Sequence, residues 1–251
     1  MAKGDVQMRV PDQLTYEESA TLALGAITVG QGLYQKSLKL NLPTDPIRTK
    51  EHVLIYGGGT ATGGLAIQFA RLSGYSVITI CSGEDSERLK LLGAEECFDY
   101  RDPNVADKVR RLTGNNLQYA WDTVAIESSA KICANALSTY PGTQYGATNP
   151  IKSPRSDVQS SSIVMYTMFG ESFSFGAQEF ARSTEDFEFA KMFMGLTEKL
   201  LREDKIKTHP GVLKEHGLAG VLEGLDELKA GKVRSGKLVY RIADTPDPRE
   251  C

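Results

Sequence analysis

The sequence predicts an α/β domain built on a doubly wound parallel sheet. A short apolar run, Val53 to Tyr56, ends in the glycine cluster Gly57-Gly58-Gly59-Thr60-Ala61-Thr62-Gly63-Gly64. An apolar helical pattern follows at Leu65, Ile67, Phe69, Ala70 and Leu72. From Glu51 to Ala147, β-rich runs alternate with helical segments, the pattern of parallel strands joined by crossover helices.

Taken in order, Met1 to Val10 reads as the end of a strand. Thr15 and Glu18 have capping-box spacing, and Tyr16 to Leu33 is Ala-rich and interrupted by Gly25, Gly30 and Gly32, as in closely packed helices. Lys39 to Lys50 is a polar, proline-containing connection. The first strand is Val53 to Tyr56, and the first crossover helix runs from about Gly63 to Leu72. Ser76 to Cys81, rich in β-branched residues, is the second strand, and Glu87 to Leu92 a helix stopped by Gly93. Cys97 to Tyr100 is the third strand, Asn104 to Thr113 a helix, Tyr119 to Val124 the fourth strand, Ser128 to Leu137 a helix and Gly142 to Ala147 the fifth strand.

Ser153 to Ser162 is serine-rich and reads as a loop; Ile163 to Phe169 reads as a strand. Gly170 to Arg182 carries Phe173, Phe175 and Phe180 among small residues, which fits a loop folded over the core or a pocket lid. Thr184 to Arg202 is a long amphipathic helix, Ile206 to Pro210 an extended piece, Gly217 to Ala230 the last helix and Lys237 to Ile242 the final strand, before a frayed tail from Ala243. The chain divides into a linking segment (1–50), a nucleotide-binding core (51–150) and a completing segment (151–251).

Bulk properties narrow the function. Of 251 residues, 41% are hydrophobic and 24% charged, as in a soluble globular protein of one large domain or two small ones. A net charge of −3 excludes a nucleic-acid binder held by a basic excess. No run approaches the ~18 apolar residues of a membrane span, and the N-terminus shows no secretory signal. Cys81, Cys97, Cys133 and Cys251 are scattered, as are His52, His209 and His216, so no metal site is expected. Single cysteines suit a reducing, cytoplasmic location.

The glycine cluster carries the chemistry. Gly57, Thr60 and Gly63 hold the three spacings of G-x-G-x-x-G, with Gly58, Gly59 and Gly64 as extras. Gly57 suits a tight turn, Gly63 close helix–sheet contact, and the Thr60 hydroxyl a phosphate oxygen. Backbone N–H groups at the start of the following helix attract a diphosphate, so the fold is expected to be Rossmann-type and to bind a dinucleotide. The second strand ends Ile80-Cys81-Ser82-Gly83, with no acid before Glu84. A small hydroxyl residue there leaves room for a 2′-phosphate, faced by Lys90 or Arg88, and predicts NADPH rather than NADH. The same two cations also fit the solvated face of their helix.

The segments Tyr56-Gly57-Gly58-Gly59-Thr60-Ala61-Thr62-Gly63, Arg71-Leu72-Ser73-Gly74-Tyr75 and Gly93 to Arg101 resemble the zinc-independent medium-chain dehydrogenase/reductases. Within these they are most similar to the fungal trans-acting enoyl reductases and related quinone-oxidoreductase-like proteins. Pro11 to Leu22 and Ser235-Gly236-Lys237-Leu238-Val239-Tyr240 also fit, so the resemblance spans nearly the whole chain. It implies that Thr28 lies near the nicotinamide, that Thr60, Ala61 and Thr62 hold the diphosphate, and that Ser82, Lys90 and Tyr100 surround the adenosine 2′-phosphate and ribose. It further implies that Phe169 and Gly170 line the nicotinamide side and that Lys237 lies close to the cofactor. Tyr100 also fits a half-buried strand residue, and Thr28 a helix residue bonded to its own backbone.

Members of that family begin with a GroES-like, β-rich catalytic domain. The present sequence matches from the last strand of that domain, so the expected architecture is a Rossmann-type sheet with a helical flanking segment and the GroES-like domain truncated. The resemblance implies NADPH-dependent reduction of an α,β-unsaturated, polyketide-type substrate, as a small molecule or carrier-bound. Either the sequence is a piece of a longer protein that carries the first domain, or a synthase partner or a homodimer closes the cleft. Two other readings stay open: redox-neutral chemistry (isomerase, dehydratase or cyclase) on a polyketide-derived intermediate, and a non-catalytic accessory of a synthase. Among other catalytic candidates, Tyr34, Tyr140 and Tyr145 are possible acids and His209 precedes Pro210. Asp122 has the strongest case, because ligands gather at the carboxyl ends of parallel strands.

Overall fold

A computed structural model describes residues 3–234 and 236–247. The chain enters through a 3₁₀ turn, Gly4–Val6, rather than the expected strand end; Met1 and Ala2 lie outside the described residues. Helix α1 (Tyr16–Ser19) starts with the anticipated capping box: the Thr15 hydroxyl accepts the Glu18 N–H at 3.2 Å, and the Glu18 carboxylate accepts the Thr15 N–H at 2.8 Å. Helix α2 (Ala23–Val29) runs on into a π-helical turn, Gly30–Gln35.

The core then alternates: β1 (His52–Tyr56), α3 (Ala61–Leu72), β2 (Ser76–Cys81), α4 (Ser86–Leu92), β3 (Glu96–Asp99), α5 (Val105–Leu112), β4 (Tyr119–Asp122), α6 (Glu127–Ala136), β5 (Gln144–Ala147) and β6 (Gln159–Ser162). Six strands form one parallel sheet in the order β3-β2-β1-β4-β5-β6. Its direction of growth reverses between β1 and β4, the place where such sheets open a ligand crevice.

Both faces are covered, as the apolar runs require. Val53 and Ile55 face one cluster with Leu65, Phe69, Leu33 and Phe193, whereas Leu54 and Tyr56 face another with Val109, Leu137 and Tyr145. Helix α3 begins at Ala61, two residues before the expected start, because the Thr60 hydroxyl accepts the Gly63 N–H at 2.9 Å and makes Thr60 the N-cap. Gly93 ends α4 at φ 113°, as its position suggested.

The remaining segment departs most from expectation. The sixth strand is Gln159–Ser162, not Ile163 to Phe169; Met165–Phe169 is a 3₁₀ turn. At the sheet edge one neighbour suffices, and the pairing Gln144↔Gln159 through Ala147↔Ser162 recruits a polar segment that needs no buried face. The Phe-containing loop is a hairpin, β7 (Phe173–Phe175) and β8 (Gln178–Phe180), with Phe173 and Phe180 stacked at 4.8 Å. Helix α7 (Thr184–Arg202) is capped by Ser183. A strand not foreseen, β9 (Gly211–Lys214), precedes α8 (Val221–Lys229) and pairs in parallel with the final strand, β10 (Lys237–Tyr240), in a separate two-stranded sheet.

Candidate nucleotide-binding cleft

The carboxyl ends of β1, β2, β3 and β4 border a cleft of about 860 Å³. Its floor is the glycine turn. Gly57 has φ 81°, a conformation that strains any side chain, and a Cβ there would lie 2.5 Å from the Thr123 hydroxyl. A Cβ on Gly63 would lie 2.2 Å from the Gly57 carbonyl oxygen, so α3 meets the turn at a distance only glycine permits. The tight turn and the close helix approach are both present in the backbone. Gly58 works from behind, where a Cβ would meet Thr79 and Leu89.

Gly57, Gly59, Thr60, Ala61 and Thr62 line the cleft itself. Ala61 and Thr62 open α3, so their N–H groups have no acceptor within the helix, and the helix dipole adds positive character there. The Thr60 hydroxyl is engaged differently from the expectation that it faces phosphate. It accepts from Gly63 and shares a 2.9 Å hydrogen bond with Thr123, whose own hydroxyl reaches the Tyr56 carbonyl at 2.9 Å. Thr60 thus shapes the turn that presents its neighbours. The turn presents the Ala61 and Thr62 N–H groups to the cleft, the donor chemistry that a diphosphate calls for.

Toward β2 and β3 the walls are Ser82, Glu84, Asp85, Tyr100 and Arg101. The Arg101 guanidinium lies 4.9 Å from the Tyr100 ring centroid and pairs with Asp99 at 3.4 Å. Lys90 is exposed on α4 and does not line the cleft. Arg88, one turn before the end of α4, stays close instead, bonded to Asp85 at 2.9 Å and to the Gly59 carbonyl at 3.4 Å. Arg101 was missed in the sequence, although its place immediately after Tyr100, at the end of a parallel strand, was a sufficient signal.

Leu24, Gly25, Val124, Ile126 and Ser128 form another part of the wall, and His209, Leu228, Arg234, Lys237 and Leu238 close it from the C-terminal segment. Burial and the cations Arg88 and Lys237 push the His209 imidazole down to about 4. Burial likewise lowers the Lys237 ammonium from its ordinary value, and burial first, then Cys133 and Asp122, raises the Tyr56 phenol.

Other expected residues lie elsewhere. Thr28 is buried one turn beyond Leu24, outside the cleft lining, with its hydroxyl donating to the Leu24 carbonyl at 2.7 Å. Phe169 does not reach the cleft either: its 3₁₀ turn packs on α7, and its carbonyl accepts from Lys3 at 2.5 Å. Asp122 is fully buried and accepts from Val124 and Ala125 N–H, Ser129 and Tyr145, so it braces the loop after β4 and touches no cleft space. Tyr34 is buried on Ser73, and Tyr140 is exposed outside the lining. Among the described residues no group of three His, Cys, Asp or Glu side chains is placed to hold a metal, and no helix is long and apolar enough to cross a membrane.

Residues 61–144 match the family described as zinc-binding dehydrogenases. The chain is 40% identical over 259 residues to the trans-enoyl reductase resD of Aspergillus sclerotiorum, covering 96% of this chain and 72% of that protein. It is 42% identical over 242 residues to the trans-enoyl reductase ACTTS2 of Alternaria alternata, covering 96% and 69%. Among solved structures, the CurF ER cyclopropanase of the curacin A biosynthetic pathway superposes with a TM-score of 0.69 at 22% identity, over 94% of this chain and 65% of that one. The chain thus spans roughly two thirds of the length of the proteins it matches.

Proposed function

Since the chain belongs to the medium-chain dehydrogenase/reductases, in the branch of the fungal trans-enoyl reductases, we propose that it binds NADPH in this cleft and serves reduction of an α,β-unsaturated, polyketide-type acyl substrate. The family implies a nicotinamide cofactor; the choice of NADPH is our reading. One observation carries it: the turn from β1 into α3 offers unpaired N–H groups at Ala61 and Thr62 over a floor that only Gly57 and Gly63 can form.

In this reading the N–H groups of Ala61 and Thr62 hold the diphosphate. Ser82, Tyr100 and Arg101 receive the adenosine ribose and its 2′-phosphate, with Arg101 in the place first given to Lys90. When bound, the nucleotide supplies a hydride to the β-carbon of the substrate. The protein's part is to orient both partners, exclude water and stabilise the developing oxyanion. Thr28 serves there only once its hydroxyl leaves the Leu24 carbonyl. The acyl group arrives free or carrier-bound from a synthase in the cytoplasm, with that synthase or a second copy as partner.

Titration of the purified chain with NADPH and NADH, followed by nicotinamide fluorescence, tests the reading. NADPH binds more tightly by roughly tenfold to a hundredfold, the range set by one charge-assisted phosphate contact. Arg101→Ala narrows that ratio and leaves NADH unchanged. Failure of both nucleotides to bind at millimolar concentration ends the proposal.

A further inference from the structure

The segment that follows α7 is fastened to α3 before it reaches the cleft. Gln68, two turns into α3, accepts the Lys207 N–H at 2.6 Å and donates to the Lys207 carbonyl at 3.2 Å. Two residues on, His209 is 6% exposed and lines the cleft together with Gly59 to Thr62. The next carbonyl, Pro210, accepts the Lys237 N–H at 2.9 Å, which brings the Lys237 side chain into the same cleft from β10. Arg88 arrives from α4, and Asp85 from the turn before it.

The charged groups acting on the imidazole are therefore Arg88, Lys237 and Asp85, with Glu84, Arg101 and Arg234 elsewhere on the lining. Asp85 is already paired with Arg88. In the free protein this setting keeps the imidazole neutral: it is buried, two cations are near, and the start of α3 adds positive character.

We propose that His209 is a diphosphate ligand that takes up a proton as the nucleotide binds, so that cofactor binding is coupled to pH. This rests on the reading of the cleft as a dinucleotide site. A diphosphate on the Ala61 and Thr62 N–H groups places negative charge beside the imidazole and offsets Arg88 and Lys237. Neutral imidazole then becomes imidazolium, with the proton drawn from solvent, and both ring nitrogens become donors. No bond to carbon and no electron transfer is involved.

ADP-ribose is the suitable probe, because it carries the diphosphate and lacks the titrating 2′-phosphate. Calorimetric titration at pH 6.5, in two buffers of different ionisation enthalpy, gives a heat difference that corresponds to uptake of a fraction of a proton. Across pH 5.5 to 7.5 the affinity falls roughly tenfold as the pH rises, the sign required when the bound state holds the extra proton. His209→Gln, which donates without charging, abolishes both effects.

NMR titration gives an independent check, since the chain has three histidines. One imidazole titrates at higher pH in the ADP-ribose complex than in the free protein, and its signal is missing in His209→Gln. Binding of ADP-ribose with equal heats in both buffers, or proton uptake that survives in His209→Gln, overturns the proposal and leaves the dinucleotide site standing. Absence of binding by both ADP-ribose and NADPH overturns the two together.

Discussion

Asp122 shows how far a single residue can be read from its position. It ends β4 at the carboxyl edge of the sheet, where ligand-facing acids belong, yet four donors converge on its carboxylate at 2.6–3.0 Å inside the core. Val124, Ala125 and Ser129 follow within seven residues, but Tyr145 reaches the carboxylate from β5, and the burial that turns all four donors inward is set by the packed sheet, which no local pattern announces. Asp122→Ala leaves two N–H groups and two hydroxyls without their acceptor, and a loss of about 3–5 kcal/mol is expected. Urea denaturation checks it: the midpoint falls, and an unchanged slope shows that stability and not compactness is affected. Asp122→Asn, which keeps one acceptor oxygen, costs less. Gly57 and Gly63 were legible for the opposite reason. Their demands, a left-handed turn and a helix approaching within reach of a carbonyl, are met within seven residues of sequence.

The same divide between local and distant causes runs through the elements. Strands β1 and β2 are apolar because both faces are covered, and they were visible at once. Strand β6 is Gln-Ser-Ser-Ser at an edge, and β9 exists only because β10 comes back to pair with it. Pairing of that kind is decided by chain path, which periodicity does not encode. The π turn at Gly30–Gln35 lies between these cases: its glycines were seen, but not what they admit. A Cβ on Gly32 would lie 2.2 Å from the Trp121 ring, whose indole nitrogen has no hydrogen-bond partner among the described residues. Gly32→Ala is expected to cost about 1–3 kcal/mol by overpacking. Trp121→Phe removes the atoms that the methyl meets. The double variant therefore costs less than the sum of the single ones by at least ~1 kcal/mol, measurable as a double-mutant cycle in thermal or urea unfolding. Strict additivity would place the strain elsewhere.

For the whole molecule, the two walls of the cleft differ in how they are held. The glycine turn belongs to the six-stranded sheet, with Val53, Leu54 and Ile55 fully buried beneath it. The wall formed by His209, Lys237 and Leu238 is carried by the two-stranded sheet β9–β10 and the segment leading into it, an arrangement that is marginal alone. Its polar ties to the rest include the Gln68–Lys207 pair of hydrogen bonds and the partly exposed Arg241–Glu17 contact, which as a surface ion pair adds little, and β9 also packs on α1. Leu218, Leu222 and Leu225, spaced along one side of the last helical segment, remain exposed. This wall should open locally well before the core does. A dinucleotide that touches both walls stabilises the closed form, by about 2.7 kcal/mol at a concentration 100 times its dissociation constant. Amide hydrogen exchange in residues 207–214 and 237–240 is then expected to slow by up to roughly a hundredfold on saturation with NADPH. The hairpin β7–β8 lies outside the cleft and opens with the nucleotide still bound, so its exchange stays unchanged. Equal slowing in both regions would mean that the ligand tightens the molecule globally, and no slowing in residues 207–214 would mean that the C-terminal wall does not take part in binding.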